Sequence, residues 1–301
     1  MSELAIQSLP KGCIRQLPDD RDFQAAFVMG AVQVDWSKEF RLPDPGSEDQ
    51  GASLSCVAHA WSYYHHQLHL DDWSRRSLYS RIFLPQGGAY LRDGGAELTD
   101  HGQATKTEAP DPKPNEYTEL TMRNRADITA WEEQDGKEAG YYSVNGKNID
   151  VVAATIRDFK GCVIGVQGDN AGWVDLLNPK PPVNAEWGHA LYCFGFHMHN
   201  GQKCIIAKSS WSSTGISEHH LRQNYFDSGN TFDGWTLIKK EYLSMPNRYL
   251  VNKHGKLGVC VSVDGDGVFS DVTYWAKSQA MLAELKKLYE VPDNAPVITY
   301  P

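Results

Sequence analysis

The sequence predicts an α+β fold, helical in its first half and strand-rich in its second. Three observations carry that expectation. From Ser53 to about Leu70 the chain holds no Gly or Pro, and Val57, Ala60, Trp61, Tyr64 and Leu68 recur at spacings of three and four, the signature of a helix face. Later, short apolar runs read as strands: Cys162–Val166, Ala190–Phe196, Lys203–Ala207 and Gly234–Ile238. The 301 residues are 41% hydrophobic and include 9 Trp, 14 Tyr and 10 Phe, enough for a large globular core.

Taken in order, residues 1–33 are mixed and weakly patterned. Pro43 and Pro45 give an extended approach to a turn at Gln50. Ser53 or Ser55 is placed to cap the helix that follows. A second short helix is expected over 74–84 and a third over 89–101, beyond the break at Gly87-Gly88. Gly94-Gly95 inside the third lowers its propensity by about 1 kcal/mol per glycine. Residues 102–140 are polar, with prolines at 110, 112 and 114, and read as a long connection. Ile149–Phe159 is a short amphipathic helix, and Asn200-Gly201 marks a hairpin between two strands. Ala276–Tyr289 reads as a helix with a leucine stripe.

Net charge is −9, which repels phosphate backbones and argues against nucleic-acid binding. No run of about 18 apolar residues suggests a membrane span. The first residues lack the basic start and apolar stretch of a secretory signal. The six cysteines are widely spread without a CxxC pair and read as mostly reduced. The expected place is the cytoplasm, or a virion if the chain is phage-encoded.

Cys56 stands out chemically. It follows a Gln and a Gly on a small-residue turn at the mouth of a helix, where the helix dipole favours a thiolate. Its own backbone N–H and the Gln50 side chain are placed to hold an oxyanion. His189 lies 133 residues downstream of Cys56 and supplies a base, within the separation of about 130–150 residues known for one thiol-peptidase arrangement. A third group would orient the imidazole.

These residues resemble the papain-like cysteine peptidases. Gln50-Gly51 to Ser55-Cys56-Val57-Ala58 is similar to the family's Q-G-x-x-x-S-C-x-A, and Gly188-His189-Ala190 to its G-H-A. Ile206-Ala207-Lys208-Ser209-Ser210-Trp211 is similar to I-x-K-N-S-W, and Gly87-Gly88 fits the glycine pair lining the substrate cleft. The likeness covers about residues 35–245 and is nearer the bacterial and phage-type members than the secreted ones. It implies a helical lobe and an antiparallel β-barrel-like lobe with the active-site cleft between them. It implies a cysteine endopeptidase with Cys56 as nucleophile, His189 as general base and acid, Gln50 in the oxyanion hole, Ser209 as orienter and Trp211 as a shield, acting on peptide or protein substrates without a cofactor. Ser209 replaces the family's Asn and has a shorter reach. Ser53 replaces the cysteine that makes a family disulfide. Val57 and Ser212 also depart from the pattern.

The implied organisation is an N-terminal extension at 1–33, a peptidase domain at 34–248 with lobes at about 50–140 and 141–248, and a C-terminal extension at 249–301. The extension at 1–33 is too short for the inhibitory propeptide of secreted relatives. Two other functions fit: an inactive papain fold with a binding or structural role, as in a phage particle, and a thiol amidase on cell-wall peptides. The latter rests on a faint likeness of 266–273 to peptidoglycan-binding modules. No metal site is expected. His65 and His69 are four apart, but no Glu lies between them and no third ligand is evident, so they read as a solvated helix face. His197 and His199 read as exposed, and His219-His220 as a loop. Asp264-Gly265-Asp266-Gly267 reads as a tight turn, because an EF-hand register would place Thr273 where the bidentate acid belongs.

Overall fold

A computed structural model describes residues 2–17, 34–113, 116–134 and 136–238, with four further strands at 247–253, 256–262, 272–275 and 297–300. The chain divides into two units, Met1–Phe23 with Gln33–Ile238, and Gln24–Val32 with Lys239–Pro301.

The first unit opens with α1 (Glu3–Gln7), β1 (Cys13–Ile14) and β2 (Phe40–Arg41). The predicted long helix is α2 (Cys56–His69), ended by Leu70 in the left-handed region at φ 64°. Ser55 occupies its N-cap, but the hydroxyl makes no capping bond and instead meets Ser53 Oγ at 2.6 Å. Helix α2 is buried on nearly every side, with Trp61, Tyr63 and Tyr64 fully inaccessible. Burying each such ring contributes roughly 1.5–3 kcal/mol before entropy is counted. The remaining helices on this side are α3 (Arg75–Ile82) and α4 (Leu91–Asp100), with the short β3 (Ala89–Tyr90) between them. The polar stretch expected as a plain connection holds two one-turn helices, α5 (Glu119–Arg123) and α6 (Ala130–Gln134), and then β4 (Gly140–Val144). Thr118 starts α5 with a reciprocal capping box, a signal set too locally for periodicity to find.

The strand-rich half follows the sequence reading. Helix α7 (Ile149–Phe159) precedes β5 (Cys162–Gly168), β6 (Trp187–His199), β7 (Gln202–Lys208), β8 (Glu218–Arg222), α8 (Gln223–Asp227) and β9 (Thr231–Ile238). The sheet runs β4-β9-β5-β6-β7-β8, with β2 also paired to β6, and every pairing in it is antiparallel. Among the described residues this order is open, so the barrel-like lobe is a sheet without closure. Strand β6 is buried on both faces from Ala190 to Phe196, which is why its sequence runs apolar without alternation. Asn200 and Gly201 both take positive φ, as the hairpin signal requires. Tyr64 joins helices to sheet: its ring stacks on Tyr192 at 5.6 Å and its hydroxyl donates to the Phe159 carbonyl at 2.7 Å.

In the second unit β10 (Asn247–Lys253), β11 (Lys256–Ser262), β12 (Val272–Trp275) and β13 (Val297–Tyr300) form their own sheet in the order β12-β11-β10-β13. The predicted turn at 264–267 and helix at 276–289 lie outside the described residues, as does most of 266–273.

Candidate active site

Cys56 is the first residue of α2, so it sits at the positive end of a fourteen-residue helix. It is fully buried, and burial pushes its thiol up to about 12, although the backbone amides of Ala190, Gly12 and Val57 aim at the sulfur and oppose that rise. Ala190 is the neighbour of His189 on β6, so the sheet presents the histidine segment to the helix N-terminus.

His189 is also fully buried. Its ring stacks on Trp211 with centroids 3.9 Å apart and planes 20° from parallel. Among the described residues neither ring nitrogen has a hydrogen-bond partner. Burial, then the nearby His219 and Lys11, hold its pKa well below the usual imidazole range. As drawn, sulfur and imidazole are therefore both neutral.

Gln50 is fixed by its neighbours. Its N–H donates to the Ser210 carbonyl at 3.0 Å, its Oε1 accepts from Ser210 Oγ, and its Nε2 donates to the Ser53 carbonyl at 2.7 Å. Ser53, at the position of the family's half-cystine, closes the same turn by donating to the Gln50 carbonyl at 2.7 Å. The turn itself needs Gly51, which has φ 54°.

Ser209 differs from expectation. Its Oγ meets His219 Nε2 at 2.7 Å, not His189. His219 is fully buried on β8, and its Nδ1 faces the Leu176 carbonyl. A carbonyl only accepts, so Nδ1 carries the proton and Nε2 accepts from the Ser209 hydroxyl. The sequence places His219 in a loop, whereas it lies on β8. Its position depends on β8 lying beside β7, a pairing no local pattern announces.

The largest surprise is the N-terminal segment, which lies across this site. Strand β1 pairs in parallel with β3, Cys13 against Ala89, directly after Gly87-Gly88. The Gly12 carbonyl accepts from the Ala89 N–H at 2.9 Å. Trp211 Nε1 donates to the Pro10 carbonyl at 3.0 Å, and the Gln16 N–H donates to Asp233 at 3.0 Å. The fit leaves no room for side chains. A Cβ on Gly12 would come 1.9 Å from the Leu54 carbonyl oxygen, one on Gly88 2.4 Å from that of Gly12, and one on Gly188 2.2 Å from that of Cys13. Gly88 thus faces the chain's own Gly12, while Gly87 beside it packs against Leu54. Residues 10–14 pack here against Trp211, Ala89 and Gly188.

No family model and no curated relative matches this sequence. Solved structures do. The cysteine protease xylellain from Xylella fastidiosa superposes with TM-score 0.65 and 22% identity, over 77% of this chain and 97% of that one. A procathepsin B from Trypanosoma congolense gives 0.57 and 14%, over 79% and 90%. Bromelain from Ananas comosus, bound to the inhibitor E64, gives 0.53 and 13%, over 69% and 100%. The chain has the two-lobed α+β fold of the papain-like cysteine proteases.

Proposed function

We propose that this chain is a papain-type cysteine peptidase held latent by its own residues 10–14. The observation that supports it best is the convergence of Cys56, the His189-Ala190 segment and the glycine-lined cleft on one extended stretch of backbone. In the open enzyme, water and peptide replace that stretch. The Cys56 sulfur loses its proton to His189 and attacks the scissile carbonyl. The Cys56 amide and the second N–H of Gln50 hold the oxyanion, because Ser210 fixes the Gln50 carbonyl and so aims the amine. His189 protonates the leaving amine, then takes a proton from water to release the acyl group. Ser209 orients the imidazole: with its proton committed to His219, its oxygen has lone pairs for the His189 Nδ1–H.

Latency follows from electrostatics. The segment excludes water from both partners and sets Lys11 near His189, which disfavours a second positive charge. Replacing Cys56 with Ala is expected to abolish both peptide hydrolysis and covalent labelling by an epoxide thiol inhibitor. Labelling that survives would assign the chemistry elsewhere, whereas a wild-type chain that never labels, even with the segment displaced, would favour a binding protein on the same fold.

A further inference from the structure

The far end of α2 carries a second cluster, unconnected with the thiol. His65 and His69 are one turn apart, and Glu138, from the segment between α6 and β4, reaches both. Its Oε1 lies 2.6 Å from His69 Nε2 and 3.3 Å from His65 Nε2. The three ligand atoms are within 4.8 Å of one another. We propose that His65, His69 and Glu138 bind a divalent transition-metal ion of the zinc class.

The hydrogen bonds behind His65 carry the argument. Gln103 Nε2 donates to Ser62 Oγ at 2.7 Å and to the Ser74 carbonyl at 2.8 Å, which commits its amine. Its Oε1 must then accept, and it does so from His65 Nδ1 at 3.0 Å. The Nδ1 proton is thereby fixed, and the Nε2 lone pair is turned toward the Glu138 carboxylate. That Nε2 is buried and has no hydrogen-bond partner among the described residues. A lone pair facing a carboxylate oxygen is a repulsive arrangement that a cation between them resolves.

The surroundings suit a metal. A backing amide that sets tautomer and ring orientation is the usual support of a metal-bound histidine. Trp73 stacks on His65 at 3.9 Å and meets His69 edge-on at 5.8 Å, so both rings are braced. Two imidazoles and one carboxylate match zinc, and the partly exposed His69 leaves an entry path and an open coordination position for water. The last turn of a helix also favours positive charge. His65 lies nine residues beyond Cys56, about 13 Å along the helix, so the ion would clamp the end of α2 to the segment before β4 and take no part in peptide chemistry. The solvated helix face read from sequence is thus corrected: His65 is fully buried, and the third ligand comes from 69 residues away.

The test is calorimetric titration of the metal-stripped full chain with zinc, in a Cys56→Ala background so that the active-site thiol cannot bind the ion. One equivalent is expected, and His69→Ala and Glu138→Gln should each weaken it at least about tenfold while thermal melts of the metal-free proteins confirm folding. Loaded with cobalt(II), the site should show ligand-field bands without thiolate charge transfer. That readout separates it from His197, Cys204 and His220, which also lie close together and include a thiol. Absence of zinc binding, an affinity unchanged in both variants, or a thiolate band from the bound cobalt would overturn the assignment.

Discussion

At the scale of single residues, a hydrogen bond joins Ser209 to His219. Under the proposed mechanism His219 takes the Ser209 hydroxyl proton and leaves the Ser209 oxygen as an acceptor for His189. Losing one oriented hydrogen bond of about 1.4 kcal/mol slows a reaction about tenfold. Ser209→Ala and His219→Phe are each expected to lower kcat by about that factor with little change in KM, and the double variant should be no slower than either single one. Steady-state kinetics on the four proteins checks this; additive losses would show that His219 is only a packed core residue. The turn at Gln50, the helix start at Cys56 and the strand of His189 were legible in the sequence because each has a local signature. The partner of Ser209 was not, because a residue ten positions away reaches it only through strand pairing.

At the scale of elements, glycine decides what approaches what. Gly94 in α4 has the Trp61 ring against it, and a Cβ there would come 2.3 Å from that ring. The Trp61 indole also donates to the Leu91 carbonyl at 2.9 Å, so the ring has no freedom to withdraw. Gly94→Ala therefore gains about 1 kcal/mol of helix propensity and loses about 1–3 kcal/mol to overpacking, so denaturant unfolding should show net destabilisation. The sequence announced the helix and the propensity cost of its glycines, but not their reason, which lies on α2. The cleft segment obeys the same logic with the opposite outcome. In Gly12→Ala the new methyl collides with the Leu54 backbone, and the segment, not the helix, is the piece free to leave. Epoxide labelling of Cys56 should then speed up by about tenfold for each 1.4 kcal/mol of collision. A slower or unchanged rate would mean that residues 10–14 do not gate the thiol.

At the scale of the whole first unit, four described imidazoles are fully buried, and three of them, His59, His189 and His219, lie outside the His65–Glu138 cluster. Burial brings His59 and His219 down to about 4 and His189 well below its ordinary value. All three folded-state pKa values are depressed, so the unfolded chain takes up protons first as pH falls below about 6.5. Their contribution to stability is complete above that value and is lost as pH drops from 6.5 through 4. Each lagging proton is worth about 1.4 kcal/mol per pH unit, so the three together give a slope of up to about 4 kcal/mol per pH unit. Glu48 and Glu133, lowered against their burial by arginine and lysine partners, add the same sign but only below about 4.5. Urea midpoints should therefore fall as pH drops from 6.5 to 5. Opening the cleft should change this signature as well as the chemistry. Once water reaches His189 its pKa rises toward the ordinary range, so Gly12→Ala should show a shallower loss between pH 6.5 and 5 than wild type. Equal slopes in the two proteins would mean that the segment does not set the charge of the imidazole, and latency would then have to rest on steric exclusion alone.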